Sequence, residues 1–328
     1  MIRMSRLFIC AAVAIVAFPA FAQNVAAPGT MTELVNVGYV MIPFTVIGDH
    51  GKPITDLRDA EVDLRVDGSP VHSDMFEKSQ NAPVSFTILL DGSGSMALAG
   101  KMDSARAAIG ALIAHHRPGD DFSLYVFAES QAREVVPFTE SPADITRALA
   151  NVSPYGKTAF FDALATMPER SKLGRNPSRA IILLSDGIDN ASSITRGALA
   201  QQLQGISVPI YSLGLREPPV VQVNSTKRPR EDLSDIGLLN EVATLTGGKL
   251  YLGNTPQQIA EAVSHIEDDL RAQYLIGFAP TGKGEVKYRT ITLKLNGRAR
   301  AVRVRAGYLG TEPPLVAARN KQTERKKS

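Results

Sequence analysis

The stretch that most constrains this chain is Val84-Ser85-Phe86-Thr87-Ile88-Leu89-Leu90 followed by Asp91-Gly92-Ser93-Gly94-Ser95-Met96. Its first seven residues are mostly apolar or β-branched, without helical spacing, and Pro83 and Asp-Gly bound them. That pattern predicts a buried strand. A strand of a parallel sheet needs no polar alternation, because helices cover both faces. Asp91, Ser93 and Ser95 then recur every second residue on a glycine-rich loop. Alternate oxygen side chains on such a loop can converge on one point, which suits a hard cation that takes oxygen ligands.

Two later stretches match it. Arg179–Asp186 is again an apolar strand ending in Asp, followed by Gly187, and Gly156-Lys157-Thr158 places a Thr on a loop that opens a helix. In open parallel sheets, ligands sit outside the carboxyl ends of the strands, so the two Asp residues and the Thr are expected to meet there. Between them the chain alternates. Helices are predicted over 102–116, 142–150, 158–167, 195–204 and 235–246, and strands over 122–127, 180–185, 207–213 and 249–252, with 132–136 as an antiparallel edge. Thr255-Pro256-Gln257-Gln258 is a capping box with Pro at the first helical position. The expected fold class is therefore α/β, a doubly wound and mostly parallel sheet.

Both flanks of this region read as β. Val40, Ile42, Phe44 and Val46 alternate, with Pro43 marking an edge or bulged strand, and so do Val62, Leu64 and Val66 before an Asp67-Gly68 turn. At the other end Tyr274, Ile276 and Phe278 alternate, as do Ile291, Leu293 and Leu295. Asn296-Gly297 then predicts a hairpin into 300–306. The two flanks are expected to pair with each other as a smaller β-sandwich-like domain. The organisation expected is a signal segment over 1–22, a lead-in over 23–33, β segments over 34–81 and 273–310, the α/β domain over 82–272, and a basic tail over 311–328. A proline-rich, charged stretch at 216–232 reads as a solvated loop.

The first 22 residues carry Arg3 and Arg6, an apolar Leu7–Phe18 and an Ala20-Phe21-Ala22 cleavage pattern, the marks of a secretory signal. A secreted or periplasmic protein is expected, with no transmembrane segment once that signal is removed. The formal charge of +3 falls to +1 when Arg3 and Arg6 leave with it, which gives no case for a nucleic-acid partner. Cys10 is the one cysteine and lies within the signal, so core packing, not disulfides, must stabilise the remainder.

Asp-x-Ser-x-Ser, then Thr, then Asp-Gly resembles the metal-ion-dependent adhesion site of von Willebrand factor type A domains. The resemblance implies Mg²⁺, with Mn²⁺ or Ca²⁺ as substitutes. Ser93 and Ser95 would be direct ligands, Thr158 a direct or water-mediated one, and Asp91 and Asp186 would hold coordinating waters or the metal itself. It also implies an open coordination position that takes an Asp or Glu carboxylate from a partner protein. Lys157 departs from the glycine that many relatives carry. The chain from about 33 to 310, with Arg271–Phe278 and Gly307–Gly310, resembles the exported VWFA-related group of acidobacterial type, which adds architecture and no activity.

Two other function classes compete with adhesion. A strand-end Asp with Mg²⁺ and a hydroxyl also describes some phosphohydrolases, but Gly92-Ser93-Gly94-Ser95 is not a nucleophile elbow and the chain has no P-loop or G-x-G-x-x-G. A scaffold or envelope-assembly role, with the metal as a fixture, is the other. The expectation is a binding protein and not an enzyme.

Overall fold

The computed structural model describes residues 39–79, 82–215, 230–253, 255–282, 284–295 and 299–313. The signal segment, the lead-in, most of the 216–232 loop, the Asn296-Gly297 turn and nearly all of the basic tail lie outside these residues.

The chain begins with β1 (Val40–Ile47), β2 (Val62–Val66), the two-residue β3 (Ser69–Pro70) and β4 (Met75–Lys78). It continues through β5 (Val84–Asp91), α1 (Lys101–Ala114), β6 (Asp121–Phe127), β7 (Arg133–Thr139), α2 (Pro142–Ala150), α3 (Phe160–Ala165) and α4 (Met167–Ser171). Next come β8 (Ser178–Ser185), α5 (Arg196–Leu203), β9 (Ile210–Gly214), α6 (Arg230–Thr246), β10 (Leu250–Leu252) and α7 (Pro256–Arg271). The last strands are β11 (Tyr274–Phe278), β12 (Lys287–Leu295), β13 (Ala301–Val304) and β14 (Gly307–Gly310).

The α/β part is a six-stranded sheet in the order β10-β9-β8-β5-β6-β7. All its pairings are parallel except β6 with the edge strand β7. Every residue of β5 is buried, as a central strand covered on both faces requires. Its side chains alternate between two cores. Phe86, Ile88 and Leu90 join Ile109 and Leu112 of α1, Ile145 of α2 and Ile266 of α7. Leu89 points the other way, to Phe160 and Leu164 of α3, Leu199 of α5 and Leu239 of α6. Each such side chain contributes roughly 1.5–3 kcal/mol on burial. The capping box forms as the sequence predicts: Gln258 N donates to Thr255 Oγ1 at 3.3 Å and Thr255 N to Gln258 Oε1 at 3.4 Å. The expected apolar face of α7, Ile259, Val263, Ile266 and Leu270, is buried.

The flanking strands form two four-stranded sheets, β13-β1-β11-β4 and β14-β12-β2-β3. Their inner faces share one core that includes Ile42, Phe44, Leu64, Val66, Tyr274, Ile276 and Leu293. β1 pairs antiparallel with β11, setting Ile42 opposite Ile276 across the whole α/β insertion. Two local expectations change. β1 is interior to its sheet, because β13 covers Phe44–Ile47 while β11 covers Val40–Phe44. Pro43 lies in the part with one neighbour, where its missing N–H leaves no ladder bond unmade. The hairpin from β12 into 300–306 does not form. β12 pairs instead with β14 and β2, while β13 joins the opposite sheet. The chain crosses between sheets at Arg305-Ala306, and Ile291 N donates to Ala306 O at 2.9 Å. Closing the sandwich with both terminal strands outweighs the local turn preference.

Three smaller corrections concern helix ends. α1 stops at Ala114, before His116; 158–167 divides into a loop carrying Thr158 and the short α3 and α4; and α6 begins at Arg230. No helix among the described residues is long and apolar enough to cross a membrane.

Candidate functional site

β5 and β8 are neighbours and parallel, so their carboxyl ends open on one edge of the sheet. β5 ends at Asp91, and Asp186 directly follows β8. Both carboxylates are buried. Asp91 Oδ2 accepts from Ser185 Oγ at 2.6 Å and Oδ1 accepts from Ser93 N at 2.9 Å, so protein donors hold both oxygens. Burial pushes the Asp91 carboxyl up to about 6. The Ser185 and Ser93 donors oppose the rise, and the nearby charge of Asp186 adds to it.

The loop after Asp91 is drawn tight against β6. Gly92 N donates to Phe127 O at 2.7 Å, and a Cβ on Gly92 would come within 2.8 Å of Val126 Cγ1. A single 3₁₀ turn over Gly94–Ala97 follows, anchored by the fully buried Met96. The turn brings the Ser93 and Ser95 hydroxyls to 3.1 Å of each other. Ser93 is buried and Ser95 is partly open.

Thr158 is buried on the neighbouring loop. That loop is stitched to the first by Tyr155 N to Gly92 O at 2.8 Å and Gly94 N to Gly156 O at 3.0 Å. Asn190 grips Thr158 from the β8 side: Thr158 N donates to Asn190 Oδ1 at 2.8 Å, and Asn190 N returns a bond to Thr158 O at 3.0 Å. Asp189 Oδ1 accepts from Phe160 N at 2.9 Å and so caps α3. Asp189 and Asn190 have no role in the sequence reading. They are the clamp that fixes the Thr loop, and their place just after Asp186 is the signal for it. Lys157 is exposed, with its N–H directed to Glu129 Oε1 at 3.3 Å.

One residue of the site escapes the sequence reading. Lys101, the first residue of α1, donates from Nζ to Asp186 Oδ2 at 2.7 Å. Its side chain is 17% exposed and that of Asp186 is fully covered. A cation at a helix N-terminus opposes the helix dipole, so an acidic neighbour is what makes this position favourable. The surroundings of Asp91 and Asp186 thus hold two carboxylates and one ammonium.

All five predicted residues lie on the loops and strand ends at this one edge. Their donors are hydroxyl and carboxylate oxygens only, which fits a hard divalent ion of the Mg²⁺ kind better than Zn²⁺ or Cu²⁺. Among the described residues no group of three or more His, Cys, Asp or Glu is placed to hold a metal, so any cation site here depends on the serines and the threonine. Leu98 and Tyr155, 64% and 65% exposed, stand on the same two loops.

Several solved structures are similar to this chain. An aerotolerance-related membrane protein from Bacteroides fragilis is 22% identical, over 57% of this chain and 98% of that one, with a TM-score of 0.43. BatB from Bacteroides thetaiotaomicron is 24% identical, over 56% and 98%, with a TM-score of 0.41. A von Willebrand factor type A protein from Catenulispora acidiphila is 16% identical, over 82% and 73%, with a TM-score of 0.46. No curated protein matches the chain. The family model of the von Willebrand factor type A domain matches residues 86–188, the segment that runs from β5 to just past Asp186, and the chain carries a domain of that family.

Proposed function

We propose that the protein is an exported, non-catalytic binding module that takes a partner protein through a divalent cation at this edge of the sheet. The observation that carries the reading is the pairing of the Ser93 and Ser95 hydroxyls at 3.1 Å beside the two buried strand-end carboxylates. Ser93, Ser95 and Thr158 would hold Mg²⁺, with Asp91 and Asp186 behind them. Bound there, the ion supplies a Lewis-acidic position that accepts an Asp or Glu carboxylate from the partner. The chain's own residues do the rest. Ser185 and Ser93 N fix the Asp91 carboxylate, Lys101 offsets the charge of Asp186, and Asn190 fixes the Thr158 loop. With both Asp91 oxygens held by protein donors and Asp186 paired with Lys101, the carboxylate charge that the ion would meet is partly offset.

The hydrolase reading gains no support from the contacts of Ser93. Its hydroxyl meets Ser95 Oγ, and Asp91, which Ser93 meets through both backbone N–H and side chain, has its two oxygens already held by Ser93 N and Ser185 Oγ. A hydroxyl nucleophile needs an adjacent base. Exposed Leu98 and Tyr155 are the kind of apolar rim that favours a protein partner over a small substrate. Export to the periplasm or beyond rests on residues 1–22 and belongs to the same proposal.

Calorimetric titration with Mg²⁺ tests the metal step. Wild type is expected to bind one ion, and Ser93→Ala and Asp91→Ala to bind at least tenfold more weakly. Equal affinity in all three proteins would refute the assignment.

A further inference from the structure

A cavity of about 520 Å³ lies where β1, β4 and β11 meet the start of β8 and the loop between α5 and β9. Ser178 and Arg179, the first residues of β8, line it, whereas the metal-site edge begins at the other end of that strand. It is therefore separate from the site described above. Its volume is that of a small-molecule pocket. Its walls are mixed: Pro43, Val208, Leu275 and Tyr308 form an apolar part, Ser79, Ser207 and Gln273 are polar, and Tyr39 and Leu309, each about half exposed, also line it.

Arg305 lines this cavity and is only 5% exposed. Its Nη1 donates to Ile206 O at 3.4 Å and its Nη2 to Met41 O at 3.1 Å, while Nε has no partner. The Tyr308 ring lies 5.9 Å away, which tempers the charge without neutralising it. The contrast with the chain's other covered arginines is sharp. Arg271 pairs with Asp120, Arg289 with Asp67, and Arg303 with Asp269. Among the described residues Arg305 pairs with no carboxylate, and neither do Arg179 and Lys78, which line the same cavity; the one carboxylate in its wall is that of Glu77. A buried charge ordinarily comes with a counter-charge. Burial lowers the Arg305 pKa to about 10, a measure of how little offsets its desolvation.

We infer that this cavity is a binding site for a small organic carboxylate with an apolar body. The acid group would meet the Nη groups of Arg305, each of which keeps an N–H beyond the one given to Ile206 O or Met41 O, and the apolar body would lie along Leu275, Val208 and Pro43. Arg179 and Lys78 add positive potential that draws the anion in.

The test uses the full chain, with octanoate, octanol and octylamine as probes, in low-salt buffer with chelator so that the metal site plays no part. Octanoate is expected to bind saturably at one site and to raise the melting temperature, with octanol and octylamine at least tenfold weaker. Arg305→Gln should weaken octanoate at least tenfold. Because that variant can fail to fold, Ser207→Trp, which keeps Arg305 and fills the cavity, should do the same. Absence of saturable octanoate binding, octanol binding as tightly as octanoate, or unchanged binding in folded variants would each overturn the inference.

Discussion

Lys101 Nζ and Asp186 Oδ2 are 2.7 Å apart in a nearly dry site at the head of α1. The ammonium supplies the positive charge that a divalent ion would otherwise bring to Asp186. Lys101→Met removes it, so the metal-free fold should lose about 3 kcal/mol, the usual cost of leaving one member of a covered pair alone. Mg²⁺ affinity should rise several-fold, because two carboxylates then face the ion without an internal cation. Denaturation in chelator and calorimetry with Mg²⁺ check both. A metal affinity that falls would mean that Lys101 orients Asp186 for the ion instead of opposing it.

Thr158→Ala separates binding from folding. Thr158 is held through its backbone by Asn190, which the substitution leaves intact. Metal-free stability should change by less than about 1 kcal/mol, at the low end for single substitutions, while Mg²⁺ affinity drops roughly tenfold. Asn190→Ala should not separate the two. It frees the Thr158 N–H, loosens the loop and lowers both, by about 1 kcal/mol in stability.

Asp120 and Arg271 link the end of α7 to the start of β5. Asp120 also accepts from Val84 N at 2.7 Å and Arg117 N at 2.8 Å, and Arg271 also donates to Ala82 O at 2.9 Å. Asp120→Ala leaves a covered guanidinium without its counter-charge and two backbone N–H groups without partners. Destabilisation of about 3–5 kcal/mol is expected and is measurable by urea unfolding. A loss under about 1 kcal/mol would show that the junction is solvated.

Asp67 gives a pH dependence. Burial alone would raise its carboxyl, but bonds from Thr290 N at 2.9 Å and Arg289 at 3.2 Å outweigh that and hold it below the ordinary range. A lowered folded pKa means stability that is present above the unfolded value, about 3.9, and lost as pH falls through the folded one. Asp67→Asn tolerates the left-handed turn, φ +50°. At neutral pH it should cost at most about 1 kcal/mol, since Asp67 is 39% exposed and solvent screens the pair. The gap between the two proteins should close as pH falls below about 4, and a gap independent of pH would contradict the ion pair.

Much of this molecule is legible from period and punctuation. β5, β8 and the capped α7 follow from apolar runs and local turn chemistry. Asp91 and Asp186 sit at strand ends that the parallel order brings to one edge, with Ser93 and Ser95 on the loop after β5 and Thr158 on the loop before α3. What is not legible is set by tertiary pairing. Asn296-Gly297 signals a hairpin, yet β13 belongs to the opposite sheet, because sandwich closure decides its partner. Lys101 reads as a surface lysine until β8 places Asp186 beside it. Arg305 stands in an ordinary strand-like run, and only the crossing between sheets puts its guanidinium against a cavity.

The most direct test is partner capture. The chain is immobilised, envelope extract is passed over it in Mg²⁺, and bound protein is eluted with chelator, with Asp91→Ala and Tyr155→Ala run in parallel. The account predicts a protein that wild type retains, that chelator releases, that Asp91→Ala fails to hold, and that Tyr155→Ala holds weakly while still binding Mg²⁺. Its binding should also fall when the acidic residue it presents is changed to an amide. Retention that is indifferent to chelator and to Asp91→Ala would contradict the metal-bridged account.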